Sequence, residues 1–212
     1  MIGNAHLDPV WLWRWQEGFH EAKATFRSAL DRISEYDDFV FTSSSDAFFE
    51  WVEQNDTAMF DEIKQRVAEG RIRLVGGWWI EPDCNIPAGE SYVRQGLYGQ
   101  RYFQEKFGKT ATVGYNVDSF GHNGMLPQIL KKSGLHSYVF MRPMPGEKAL
   151  PARLFRWPSD DGPEVTAFRL LFEYLTWGDD VAVPVTLCAH DLCHEPDASW
   201  VLHCVRNHRG GP

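Results

Sequence analysis

Apolar positions along this chain recur with two different periods, and the switches between them predict an alternation of strands and helices. Residues 39–42 form a short apolar run read as a buried strand, and Ser43 to Ser45 supply turn chemistry and a cap for the next element. A helix over 46–54 follows, with Phe48, Trp51 and Val52 as its apolar stripe. Asp56 is placed to cap a second helix, in which Met59, Phe60, Ile63 and Val67 recur at helical spacing before Gly70 ends it. Residues 71–75 read as the next strand, and Gly76-Gly77 predicts a sharp turn into Trp78 and Trp79. A helix over 91–107 closes at Gly108, and a strand over 111–117 delivers Asp118. Pro127 suits the first turn of a helix that runs to Lys132 and stops at Gly134. A strand over 138–141 delivers Arg142-Pro143, and 153–157 pairs with 165–171 around the turn Ser159-Asp160-Asp161-Gly162. Helices lying between strands predict an α/β fold with a parallel sheet and barrel-like closure. No internal repeat is visible.

Composition narrows the class. The 212 residues are 43% hydrophobic and 14% aromatic, enough for a real core, and nine Trp tilt toward flat apolar surfaces. A net charge of −8 argues against nucleic acid as a partner, and no apolar run reaches membrane-spanning length. The start carries no signal-peptide pattern. Cys84 stands alone mid-chain while Cys188, Cys193 and Cys204 crowd the end, which is no disulfide framework, so a reducing, cytoplasmic location is expected. Nothing in the sequence sets an oligomeric state.

Two runs carry candidate chemistry. In Gly3-Asn4-Ala5-His6-Leu7-Asp8-Pro9-Val10-Trp11-Leu12, an imidazole and a carboxylate two residues apart share a face if the segment is extended. Pro9 ends that strand, placing two good zinc ligands at its carboxyl end beside the flat ring of Trp11. In Tyr115-Asn116-Val117-Asp118-Ser119-Phe120-Gly121-His122, a second strand again ends in a carboxylate, an aromatic and a glycine turn. A would-be metal with an aromatic wall suggests sugar chemistry, against the plainer readings of core packing for Trp11 and Phe120 and a structural ion pair for Arg142.

These runs, with Gly76-Gly77-Trp78, Glu81-Pro82-Asp83 and Arg142-Pro143, resemble the glycoside hydrolase family 38 α-mannosidases over positions 2–178. The resemblance implies a partial (β/α) barrel, the seven-stranded glycoside hydrolase/deacetylase-type barrel of that family, here truncated, the chain beginning directly on the first motif. It implies a zinc-dependent retaining α-mannosidase acting on terminal α-mannosides or mannose-containing oligosaccharides. His6, Asp8 and Asp118 would be zinc ligands, Asp118 also the nucleophile, and Trp11, Phe120 and Arg142 would bind substrate. The family's fourth ligand, a His, falls beyond this chain, and its general acid aligns with Asn207, an amide that cannot donate a proton as a carboxylic acid does. Glu81 and Asp83 read as loop caps or solvated charges with a supporting role as the alternative, and His122 as a buttress for Asp118 or a backbone partner.

Residues 1–178 are thus read as the amino-terminal part of the catalytic barrel. Residues 179–212 are a divergent or degraded tail ending in a family-like Gly-Gly-Pro, and the chain as an incomplete fragment of weak or no turnover. Two rivals remain open. One is a zinc-dependent deacetylase-type hydrolase on a related barrel, with metal-bound water as nucleophile. The other is a non-catalytic metal-binding fragment using the tail residues Cys188, His190, Cys193, His194, His203, Cys204 and His208.

Overall fold

The computed structural model describes residues 2–170. The chain opens with strand β1 (Ile2–Asn4), which is followed after a loop by helix α1 (Trp15–Glu35). Strand β2 (Val40–Ser45) leads directly into α2 (Asp46–Asn55) and α3 (Thr57–Ala68), and β3 (Ile72–Trp78) returns alongside β2. After α4 (Gly89–Phe107) come β4 (Val113–Asn116), α5 (Leu126–Lys132), β5 (Ser137–Phe140), β6 (Leu154–Pro158) and β7 (Glu164–Arg169). The architecture is α/β, as the alternation predicts. It is built on two open sheets, a parallel β1-β2-β3 and a mixed β4-β5-β7-β6 in which only β6 runs antiparallel to its neighbour. Among the described residues no closed barrel is present; β3 and β4 lie side by side without a shared ladder.

The core lies between these sheets and the helices. Phe49 sits at its centre, with ring centroids 4.9 Å from Phe26 of α1, 5.7 Å from Phe103 and 5.4 Å from Phe107 of α4. Helix α3 starts as expected: the Asp56 carboxylate accepts a hydrogen bond from the Met59 N–H at 3.1 Å, and Met59, Phe60, Ile63 and Val67 are buried. Gly108 ends α4 in the left-handed region.

Several expectations need correction. The sequence reading has no element over 15–35, where α1 runs. Its buried stripe of Gly18, Ala22, Phe26, Ala29, Leu30 and Ile33 is half small residues, so the apolar signal is faint. Gly76-Gly77 do not turn the chain out of the sheet. They have φ of 81° and 67°, yet β3 continues through them to Trp78, because Gly76 lets the backbone press against Ser44, where a Cβ would lie 2.2 Å from the Ser44 carbonyl oxygen. Ser43 to Ser45 belong to β2 and are buried, and the Ser45 side chain caps no helix. The residues 179–212, including Asn207 and the Cys and His of the tail, lie outside the described residues.

Candidate active site

Strand direction decides where chemistry gathers. His6 follows β1 by two residues, Asp118 follows β4 by two and Arg142 follows β5 by two, so each lies just beyond the carboxyl end of a parallel strand. These ends converge on one cleft of about 970 Å³, lined among others by Asp8, Trp11, Glu81 and Phe120. The expected extension of β1 through Asp8 is not observed. The ladder stops at Asn4, paired with Thr42, and the Asn4 amide bonds the Thr42 carbonyl and hydroxyl at 3.0 Å each, which frees the chain to leave the sheet.

His6 and Asp8 still face each other: His6 Nε2 lies 3.4 Å from Asp8 Oδ1 and 3.8 Å from Asp118 Oδ2. His6 Nδ1 lies 3.4 Å from Glu81 Oε2. One nearly buried imidazole thus meets three carboxylates. Burial disfavours its charged form, but the hydrogen bond with Glu81 and the charges of Glu81, Asp8 and Asp118 outweigh that and raise its pKa above the ordinary value. Arg142 Nε donates to Asp118 Oδ1 at 2.7 Å, while its guanidinium stands 5.0 Å from the Phe120 ring centre. The ion pair expected as the plainer role of Arg142 is therefore present, and its partner is the candidate nucleophile.

Trp11 and Phe120 are 65% and 76% exposed, so neither packs into the core formed by the described residues. Trp11 meets Trp13 edge-to-face at 5.3 Å, and the Trp13 indole N–H donates to the Asp8 carbonyl at 3.1 Å, tying this aromatic wall to the Asp8 loop. His122 stays beneath the cleft. Its Nε2 is 2.7 Å from the Arg142 carbonyl, its Nδ1 is 3.2 Å from the Tyr138 hydroxyl, and burial lowers its pKa. It supports the backbone of Arg142 rather than Asp118. Among the described residues, no three His, Cys, Asp or Glu side chains are arranged as a metal cage.

Residues 1–198 match the sequence pattern of the glycosyl hydrolases family 38 N-terminal domain. The chain belongs to this family. Alpha-mannosidase G of Dictyostelium discoideum is 32% identical over 216 residues, covering 100% of this chain and 20% of that protein. Human Alpha-mannosidase 2C1 is 31% identical over 164 residues, covering 77% of this chain and 16% of its own length. The crystal structure of an alpha-mannosidase from Enterococcus faecalis V583 superposes with a TM-score of 0.75 at 20% identity, over 91% of this chain and 22% of that one. The chain therefore spans about a fifth of the length of the curated relative that it matches throughout.

Within this family member, sequence reasoning undervalued Glu81, Ser44 and Ser45. Glu81 is neither a solvated charge nor a loop cap: its side chain is 9% exposed. It accepts hydrogen bonds from the Ser44 hydroxyl and, at 3.3 Å, from the Val117 N–H. The available signal was three consecutive serines at the end of an otherwise apolar strand, an odd choice unless something polar is buried against them. Asp83, in contrast, does act as a loop cap, its Oδ1 accepting from the N–H groups of Asn85 and Ile86 at 2.8 Å each.

Proposed function

We propose that this chain is the amino-terminal catalytic portion of a zinc-dependent retaining α-mannosidase, its sheets forming part of the family's seven-stranded barrel. Its substrate would be a terminal α-mannoside or a mannose-containing oligosaccharide. The observation that carries the reading is the meeting of His6 and Asp8, from the start of the chain, with Asp118, from beyond its middle, in one cleft walled by exposed rings.

The residues suit a divalent cation. An imidazole has two nitrogens, and three carboxylates around it call for a proton or a metal ion between them. Donors held 2.0–2.1 Å from a tetrahedral zinc lie roughly 3.3 Å apart; the His6–Asp8 separation of 3.4 Å is close to that and the His6–Asp118 separation of 3.8 Å slightly wider. His6, Asp8 and Asp118 would hold the ion, which when bound supplies a Lewis acid for vicinal sugar hydroxyls.

The protein's own groups account for the rest. Asp118 is the nucleophile: its carboxylate oxygen bonds to the anomeric carbon as the glycosidic C–O bond breaks, and the leaving oxygen takes its proton from water. A second water then hydrolyses the mannosyl–Asp118 ester to release mannose with net retention. Arg142, through its 2.7 Å bond to Oδ1, holds the Asp118 carboxylate in place and fixes which oxygen faces the sugar. Trp11 and Phe120 offer platforms for the apolar face of the ring and help exclude water.

An activated 2-deoxy-2-fluoro or 5-fluoro mannosyl fluoride tests this directly, because fluoride leaves without protonation and the assay isolates the nucleophile. Mass spectrometry of the zinc-supplemented protein is expected to find one mannosyl adduct on the peptide holding Asp118, absent from Asp118→Asn. Equal labelling of wild type and variant would defeat the assignment.

A further inference from the structure

Outside the residues assigned above, one buried acid is tied to more of the site than any ligand. We infer that Glu81 is a positioning residue whose carboxylate clamps His6, sets its tautomer, and locks it in register with the strand end that carries Asp118. The inference rests on the proposed zinc site for its consequence, and on geometry for its substance.

Both carboxylate oxygens and the backbone N–H of Glu81 are committed. Oε1 accepts from the Ser44 hydroxyl at the end of β2. Oε2 accepts from the N–H of Val117, the residue before Asp118, at 3.3 Å, and faces His6 Nδ1 at 3.4 Å. The backbone N–H of Glu81 donates to Ser45 Oγ at 3.2 Å, which anchors the residue from behind. Glu81 thereby joins the carboxyl ends of β2 and β4 to the loop after β1. Both its side chain and that of His6 are only 9% exposed, so water competes poorly for these bonds.

The chemical consequence follows from acceptor counting. A carboxylate offers acceptors alone, and two donors already point at this one, so the complementary His6 atom facing it is Nδ1–H. The lone pair is then on Nε2, the nitrogen turned toward Asp8 and Asp118. A carboxylate that orients an imidazole in this way raises its basicity as a ligand, and losing one typically costs 10–100-fold in metal affinity.

The test uses the full chain and Zn²⁺ alone, with affinity read by competition against a chromophoric chelator. Glu81→Ala is expected to bind Zn²⁺ about 10–100-fold more weakly than wild type, with Glu81→Gln between them because one acceptor oxygen survives. Alongside, ¹⁵N imidazole spectra of the metal-free protein in alkaline buffer should show His6 as the Nδ1–H tautomer, shifting toward Nε2–H in Glu81→Ala. The His6 signals are assigned by their loss in His6→Asn. Unchanged affinity in a folded Glu81→Ala, or an Nε2–H tautomer in the wild type, would overturn the inference. If the alanine variant does not fold, Glu81→Gln and the wild-type tautomer decide it. If the wild type binds no Zn²⁺, the proposed function fails, and the spectra still rule on the clamp separately.

Discussion

At the residue scale, the buried carboxyl of Asp46 makes the sharpest prediction. It is fully buried at the start of α2 with no hydrogen-bond partner for either oxygen, and burial, opposed only by its own backbone N–H, raises its pKa from 3.8 to about 10. The folded protein thus keeps a proton that the unfolded chain releases near 3.8, so this residue favours folding least at high pH. Its contribution is fully present below about pH 4 and declines by about 1.4 kcal/mol per pH unit above it, a loss on the order of 4 kcal/mol by pH 7. Asp46→Asn keeps the shape and removes the titration. Chemical denaturation from pH 5 to 8 should find the variant more stable than wild type, by a margin that widens with pH; parallel curves would refute the buried-acid account. The contrast with Glu81 is instructive. Both side chains are largely out of water, but Glu81 has two hydrogen-bond donors and an imidazole around it while Asp46 has only its own backbone N–H nearby, and a sequence shows the two carboxylates as equals.

At the scale of elements, what was legible depended on how loudly each one declares its buried face. The helices α2 to α4 advertise themselves through large apolar residues and a Gly or Asp at an end, and their limits were read to within about two residues. Helix α1 was silent because close packing there uses glycine and alanine. Gly18 shows why: a Cβ at this position would stand 2.2 Å from the Pro9 carbonyl oxygen, so the missing side chain is what seats the Asp8-Pro9 loop on the helix. The loop carrying His6 and Asp8 was legible as a motif, and its support was not, since that support is a contact between a carbonyl and an absent atom. Alanine in a helix interior ordinarily gains up to about 1 kcal/mol over glycine. Gly18→Ala should instead lose about 1–3 kcal/mol by overpacking and displace Asp8. Gly89→Ala, at the start of α4 with open space around it, is the matched comparison and should be neutral or mildly stabilising. Melting curves of the two variants distinguish a packing demand from helix propensity; equal midpoints would remove Gly18 from the account.

At the scale of the molecule, the candidate site doubles as the fastening between its two sheets. Among the described residues no ladder joins β3 to β4, so beyond the Asn123 N–H bond to the Cys84 carbonyl at 2.9 Å the seam is held largely by side chains. Trp78 and Tyr138 pack across it at 6.3 Å, the Asn116 amide donates to the Pro82 carbonyl at 2.7 Å, Cys84 N–H donates to Ser119 Oγ at 3.1 Å, and Glu81 accepts from Val117. The polar fasteners all lie at or just past the strands' carboxyl ends, where His6, Asp8 and Asp118 also gather. A cation held by those three would add a tie between the β1 loop and the end of β4, across the same seam. Binding to the folded state alone stabilises by about 2.7 kcal/mol at a free concentration 100 times Kd. For a chain of this size that is roughly 5–10 °C in Tm. Zn²⁺ should therefore raise the melting midpoint of the wild type reversibly, with a chelator restoring the original value, and should leave Asp118→Asn nearly unmoved, because that variant cannot reach across with a carboxylate. A midpoint indifferent to Zn²⁺ in the wild type, or one raised equally in both proteins, would mean that the fasteners are purely structural and that the three donors do not act together.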